Sequence, residues 1–197
     1  EATTAPGTTF RANLGGEPVG GSVTRVLKSD LDALSAYMKQ NFGYDTGAYE
    51  GYDFSTPAKR VIIKGDYNLN DTNKITVRYN QLESSTDRPI SNSSSVGFGN
   101  RNGDTFGLSY ANSKYSILEN IKSVIGEWNS VIGTRMANNF IVGWTSQDES
   151  RGNAAGPFFP TIDILEAVRV YTSVGWDPFT PNNELKYTTF QIQNNLS

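Results

Sequence analysis

Stretches with an apolar residue at every second position, joined by connections of two very unequal lengths, constrain this chain more than any other feature. Arg60–Leu69 and Lys74–Leu82 flank a tight polar turn, Asn70–Asn73, and Ile121–Ile132 and Asn139–Asp148 flank another, Gly133–Asn138. A fifth stretch is Tyr187–Leu196. The remaining connections run to roughly thirty residues or more, far above the handful usual in a compact domain. A sheet with one plain end and one elaborated end accommodates that asymmetry, and up-and-down membrane barrels are built this way.

Each stretch sorts into two faces. Val61, Ile63, Gly65, Tyr67 and Leu69 oppose Ile62, Lys64, Asp66 and Asn68, and Ile75, Val77 and Tyr79 oppose Thr76, Arg78 and Asn80. Val124, Gly126, Trp128 and Ile132 oppose Ser123, Glu127 and Asn129. Phe140, Val142 and Trp144 oppose Asn139, Gly143, Thr145 and Gln147, with Ile141 out of place among the polar residues. Phe190 and Ile192 oppose Thr189, Gln191 and Gln193. A period of two with one apolar face marks a strand that buries one side. Whether that side meets lipid or a soluble core is not a property of the period.

Composition bears on that choice. Only 37% of the 197 residues are hydrophobic, and about five good strands leave no second sheet to cover the first. A barrel wall needs few apolar positions, because lipid covers its outside and water its lumen. No run of eighteen apolar residues exists, which excludes a membrane-spanning helix and leaves a barrel untouched. The expected fold is therefore all-β: antiparallel up-and-down strands forming part of a transmembrane β-barrel, with long loops and one short loop helix. Five strands cannot close on themselves, and their edges would be left unpaired. The chain opens at Glu1 without methionine or signal peptide, so it is expected to be a processed product or an excerpt of a larger barrel.

Seventeen basic and twenty acidic residues give a net charge of −3 without clustering, so no nucleic-acid partner is expected. Cysteine and histidine are both absent. That removes disulfides, thiolate metal sites, cysteine nucleophiles, the serine triad and most transition-metal sites.

Several segments are similar to a known family. Tyr52-Asp53-Phe54-Ser55-Thr56-Pro57-Ala58-Lys59-Arg60, followed by Lys64-Gly65-Asp66-Tyr67-Asn68-Leu69-Asn70-Asp71, resembles the start of the barrel in TonB-dependent outer-membrane receptors. Phe158-Phe159-Pro160 with Asp163-Ile164-Leu165, and Gly175-Trp176-Asp177-Pro178-Phe179-Thr180-Pro181-Asn182-Asn183-Glu184-Leu185, resemble the Oar-like and SusC-like subgroup. The resemblance covers nearly the whole chain. It implies a bacterial outer-membrane location, a twenty-two-stranded barrel around an N-terminal plug, and import of large substrates driven by TonB. The partners it implies are the remainder of the barrel and its plug, TonB through the plug, a surface lipoprotein and outer-membrane lipid. Neither plug nor TonB-box segment is visible here.

If the Asn70 turn is periplasmic, residues 1–59 form an extracellular segment with a short helix. Residues 60–197 then form the partial wall, with extracellular loops 84–120 and 149–184. The helix is expected to start at Ser29 as N-cap, with Asp32 completing a capping-box-like pair, and to end at Gly43. Leu31, Leu34 and Met38 make its apolar stripe. Its favoured role is to keep a long loop compact, against gripping a ligand or covering the pore.

Other motif-like features fall to simpler readings. Asp66, Asn68 and Asn70 open a calcium-loop pattern, but Asp71 and Val77 stand where glycine and glutamate are required. Gly97, Gly99 and Gly103 follow no strand-to-helix phosphate pattern, and the sequons at Asn70, Asn92 and Asn195 are chance matches. Glu127 with Asp148 and Glu149 offers a carboxylate pair for sugar hydrolysis, yet the first lies mid-strand and the others at the far end of its neighbour. Lys64, Asp66, Arg78 and Glu127 instead read as lumen-facing groups that hydrate the interior or touch the plug. Tyr67, Trp128 and Phe140 lie near short turns on the apolar face, as an interfacial girdle would; aromatics favoured in any strand are the plainer account. Tyr49, Tyr52, Phe158, Phe159, Trp176 and Phe179 lie in the long loops and are the candidate ligand contacts. They stack on glycans or peptides, or they pack loop to loop. No catalytic, cofactor or metal-binding residue is expected. The functional expectation is part of a TonB-dependent transporter, not an enzyme, supplying wall and substrate-contacting loops. The alternative is a secreted soluble β-sandwich binding carbohydrate or protein through its loops.

Overall fold

The computed structural model describes residues 24–104, 106–153 and 156–197, so residues 1–23 of the expected first segment lie outside the description. In chain order the elements are α1 (Lys28–Phe42), β1 (Ala58–Asn70), β2 (Asn73–Arg88), β3 (Tyr115–Leu118), β4 (Asn120–Ile132), β5 (Met136–Asp148), β6 (Arg151–Asn153), β7 (Ile162–Glu166), β8 (Arg169–Val174) and β9 (Lys186–Leu196). Strand makes up 50% against a single α-helix among the described residues, so the class is mainly antiparallel β. Two compact units form. One comprises residues 55–86, 117–150 and 184–197, and the other the described residues among 24–54, 87–116 and 151–183.

The first unit is the sheet β1-β2-β4-β5-β9, every neighbouring pair antiparallel. The sheet curls into half a barrel. The long strands are those the alternation anticipates, with β2 running on to Arg88. Asn70 builds the first turn: its side-chain oxygen accepts from the Thr72 N–H and hydroxyl and from the Asn73 amide, each at 3.0 Å. This is the local competition with backbone partners that makes asparagine a turn residue. Gly133, at φ 64°, supplies the left-handed conformation of the second turn.

The second unit shows that the long connections are not plain loops. They contain α1, β3 in part, β6 and the β7–β8 hairpin. Its core is Val26, Leu31, Met38, Tyr44, Tyr110, Tyr171 and Val174, so the apolar stripe of α1 packs inward as expected. Gly43 ends the helix at φ 64°, its N–H donating to the Lys39 carbonyl. The start differs from expectation. The N-cap is Leu27, without a side-chain cap, and Ser29 lies inside the helix. The Tyr171 hydroxyl on β8 accepts the Leu27 N–H at 2.7 Å and donates to the Asp30 carboxylate at 2.8 Å. A distant phenol thus meets the polar needs of the helix start, which no local pattern could reveal.

Buried charge ties the rest of this unit. Arg101, 1% exposed, grips Asp163 through Nε and Nη2 and donates to the carbonyls of Ser91, Ser93 and Val96. Asp177, also 1% exposed, accepts from the backbone of Ser91 and Phe179 and from the Thr180 hydroxyl. Each guanidinium or carboxylate satisfies several loop groups at once, the condition for tolerating a buried charge.

Gly175 sits at φ 90° where a Cβ would land on the Pro160 carbonyl oxygen. Gly175→Ala should therefore combine backbone strain with a collision, costing on the order of 2–3 kcal/mol. Denaturant unfolding followed by tryptophan fluorescence would measure it; a variant as stable as wild type would show that the turn relaxes freely.

Candidate functional site

The sheet's register decides which side chains share a surface, since directly paired residues point to one face. Four pairings carry the apolar sets of all five long strands onto the same side. Gly65, Val77, Gly126, Val142 and Ile192 form a central row. Ile63, Tyr79, Val124, Trp144 and Phe190 form the row toward the long connections, and Tyr67, Ile75, Trp128 and Phe140 the row toward the short turns. An aliphatic line thus runs between two aromatic ones. Trp128 donates its indole N–H to Asn73 at 3.0 Å, holding its polar edge at the turn.

Among the described residues nothing covers this face. Ile63, Tyr67, Val77, Trp128 and Val142 are 45–67% exposed, and Phe190 and Ile192 are about three-quarters exposed. Soluble monomers rarely leave so contiguous an apolar surface open. From Val61 to Leu69 the apolar face of β1 spans nine residues, as does that of β4 from Val124 to Ile132. A tilted membrane-crossing strand needs about 9–11.

The opposite face is polar. Asp66 accepts from Thr76 at 2.7 Å and pairs with Lys64 and Lys74. Glu127 accepts from Asn129 and Asn139, and Asn139 also donates to Asn129. A hollow of about 330 Å³ lies on this side, lined by Lys64, Asp66, Lys74, Thr76, Arg78, Ile125, Glu127 and Asn129. Ile141 sits opposite Glu127 and breaks the polarity there. Glu127 and Asp148 fall on opposite faces, because Glu127 pairs with Ile141 while Asp148 shares the parity of Phe140 and Val142. They cannot flank one bond as a hydrolytic pair does.

Toward the long connections the alternation reverses, which the sequence reading overlooks. Lys122 pairs with Gln81 and Ser146, and Asp148 with Asn120 and Lys186, on the side that is apolar farther down. Leu82 and Ile121 meanwhile move to the polar side. Glu83, Asn120, Lys122, Ser146, Gln147, Asp148 and Lys186 line a hollow of about 440 Å³. Parity switching at Lys122, Ser146 and Asp148 was the available signal.

The six aromatic candidates do not make one site. Phe159 stacks on Tyr44 at 4.4 Å and meets Phe42 edge-on, packing against the core of its unit. Tyr49 meets Tyr110 edge-on and accepts from Lys28 while donating to Asp32. Phe158 and Trp176 form a T-shaped pair at 5.4 Å, with Phe158 59% exposed and the Trp176 indole held by the Pro157 carbonyl. Tyr52 packs on Phe54, and Phe179 lies half-buried beside Asp177. Phe158 thus offers an exposed aromatic surface with Trp176 half-buried against it, while Tyr49 and Phe159 are occupied with packing. No group of three or more histidine, cysteine, aspartate or glutamate residues among the described residues could hold a metal ion.

Comparison with models of protein families, with curated proteins and with solved structures finds no match in any of the three.

Burial pushes the Tyr44 phenol up to about 12, with the Gly175 backbone opposing and the Asp45 carboxylate adding to the rise. Burial likewise raises Tyr110. A raised folded-state value means that the neutral phenol's stability is intact below the ordinary value near 10 and is lost as pH climbs through the folded one. The unit containing Tyr44 should therefore weaken between about pH 10 and about pH 12. Tyr44→Phe should lose part of the tyrosinate absorbance change at the upper end and flatten the alkaline loss; amplitude lost near the ordinary phenol value instead would show that Tyr44 ionises like an exposed phenol.

Proposed function

We propose that this chain supplies part of the wall and the substrate-contacting extracellular loops of a TonB-dependent transporter in a bacterial outer membrane. The observation that carries the proposal is the sheet's two-sidedness: one uncovered apolar face nine residues high, backed by a hydrated face of lysine, arginine, carboxylate and amide. Lipid is the solvent that makes such a surface stable. A soluble sandwich would lay a second sheet on Val77, Val142 and Ile192, and these side chains are exposed.

The sheet ends define the partners. Among the described residues no strand pairs the outer edges of β1 and β9. In hydrocarbon each unpaired backbone group costs several kcal/mol, so both edges require further strands. Four successive antiparallel pairings leave β1 and β9 running the same way. Closing an all-antiparallel barrel then takes an odd number of additional strands. A second copy in the same orientation contributes five, but its edges would meet these in parallel. The remainder of a larger receptor barrel fits. In this reading the plug meets Lys64, Arg78 and Glu127 and couples to TonB, and a surface lipoprotein is a further partner on the loop side. Phe158 and Trp176 are the loop aromatics best placed to stack on substrate.

An energetic asymmetry tests the proposal. Val142→Arg puts a charge into lipid near mid-wall and should cost about 2–4 kcal/mol, whereas Thr145→Arg on the hydrated face should cost close to nothing. Denaturant titration after folding into lipid vesicles reads both. Equal penalties would mean that the alternation does not record a bilayer.

A further inference from the structure

The loop that precedes Arg101 is held rigid yet turns its apolar side chains outward. Arg101 is its scaffold. Nη1 donates to the Ser91 and Ser93 carbonyls, Nη2 donates to that of Val96, and the Asp163 carboxylate fixes the guanidinium at 2.9–3.0 Å. Asn92 closes the loop: its carbonyl accepts the Asn100 N–H at 3.2 Å, and its side chain accepts the Asn102 N–H at 2.7 Å. Gly97, Gly99 and Asn100 all take positive φ. A Cβ on Gly97 would fall 2.7 Å from Arg101 Nη2, and one on Gly99 2.6 Å from the Asn92 carbonyl oxygen. From this cradle Val96 and Phe98 project with 49% and 56% of their surface exposed. No charged residue lies between Arg88 and Arg101. The N–H and carbonyl groups of Gly97 and Phe98, on exposed residues, make no hydrogen bond among the described residues. Two apolar side chains at i and i+2 thus frame open main-chain donors and acceptors on a backbone that is already fixed.

We propose that this loop binds an extended, uncharged stretch of polypeptide that carries apolar side chains. Val96 and Phe98 pack on those side chains, while the main chain of Gly97 and Phe98 exchanges hydrogen bonds with the peptide backbone. Glycine at 97 and 99 lets the two backbones approach closely. A loop ordered before binding loses little further freedom on contact, which raises affinity without adding contacts. One rigid aromatic among serine, glycine and asparagine is the chemistry that binding loops use for polypeptide surfaces. A charged segment would give up hydration at this tip and find no opposite charge in return. All of these residues belong to the second unit, so peptide binding here does not require the sheet face to meet lipid.

Saturation-transfer NMR on the folded full chain measures the binding, with an acetylated and amidated heptapeptide of alternating leucine and serine as the probe. Wild type should transfer saturation to the leucine methyl groups. The transfer should fall several-fold when the serines are replaced by glutamate or by lysine. Methylating alternate peptide nitrogens, which removes main-chain donors, should have the same effect. Phe98→Ala with Val96→Ala should abolish the signal, and Phe98→Leu, which keeps an apolar side chain in place, should retain most of it. Phe158→Ala, at a different exposed aromatic, should leave it unchanged. No transfer in wild type, equal transfer to the charged or N-methylated peptides, or transfer that survives Phe98→Ala with Val96→Ala would overturn the proposal. So would maltoheptaose receiving saturation through the same two side chains while the peptide receives none.

Discussion

Strand register is the constraint on which the rest of this structure depends. A slip of one residue in any of the four long pairings would send an entire apolar set to the other side. It would also scatter the rows that join Tyr67 to Phe140 and Gly65 to Ile192. Two short turns hold register locally, through the Asn70 side chain and the left-handed Gly133. The β2–β4 and β5–β9 pairings have no short turn, and complementarity of the two faces has to set them.

The unit of long connections solves a different problem. Among the described residues its apolar core is seven buried side chains, and three of those are tyrosines. Two of these tyrosines answer backbone needs with their hydroxyl groups, Tyr110 for the Leu31 carbonyl and Tyr171 for the start of α1. Arg101 and Asp177 extend the same strategy to segments that have no ladder of their own. A loop built this way is ordered by specific hydrogen bonds more than by buried area, so losing one hub strands several polar groups together. Arg25 is a further example. It pairs with Glu166 at 3.0 Å, donates to the Phe106 carbonyl and lies against the Phe106 and Tyr171 rings.

These two modes of order suit the proposed role. A wall must be uniform along its rows, because the bilayer treats every strand alike. A recognition surface must be individual, and side-chain hubs allow shapes that strand ladders do not. Phe158 stays exposed, with Trp176 half-buried against it, while their neighbours Phe159 and Asp177 hold the backbone in place.

The sequence by itself determined the long strands, their two faces, the short turns and the inward stripe of α1. All of these follow from side-chain period and turn chemistry acting over a few residues. It also separated Glu127 from Asp148, since one lies mid-strand and the other at the far end of its neighbour. Only tertiary structure decided that the long connections fold into a unit, that Tyr171 rather than Ser29 serves the helix start, and that Arg101 and Asp177 are buried hubs. Each depends on partners 62 to 144 residues away, such as Asp163 for Arg101, Ser91 for Asp177 and Leu27 for Tyr171. Tertiary structure likewise divided the six loop aromatics between core and surface, because adjacent residues such as Phe158 and Phe159 carry the same chemistry and differ only in what the fold brings against them.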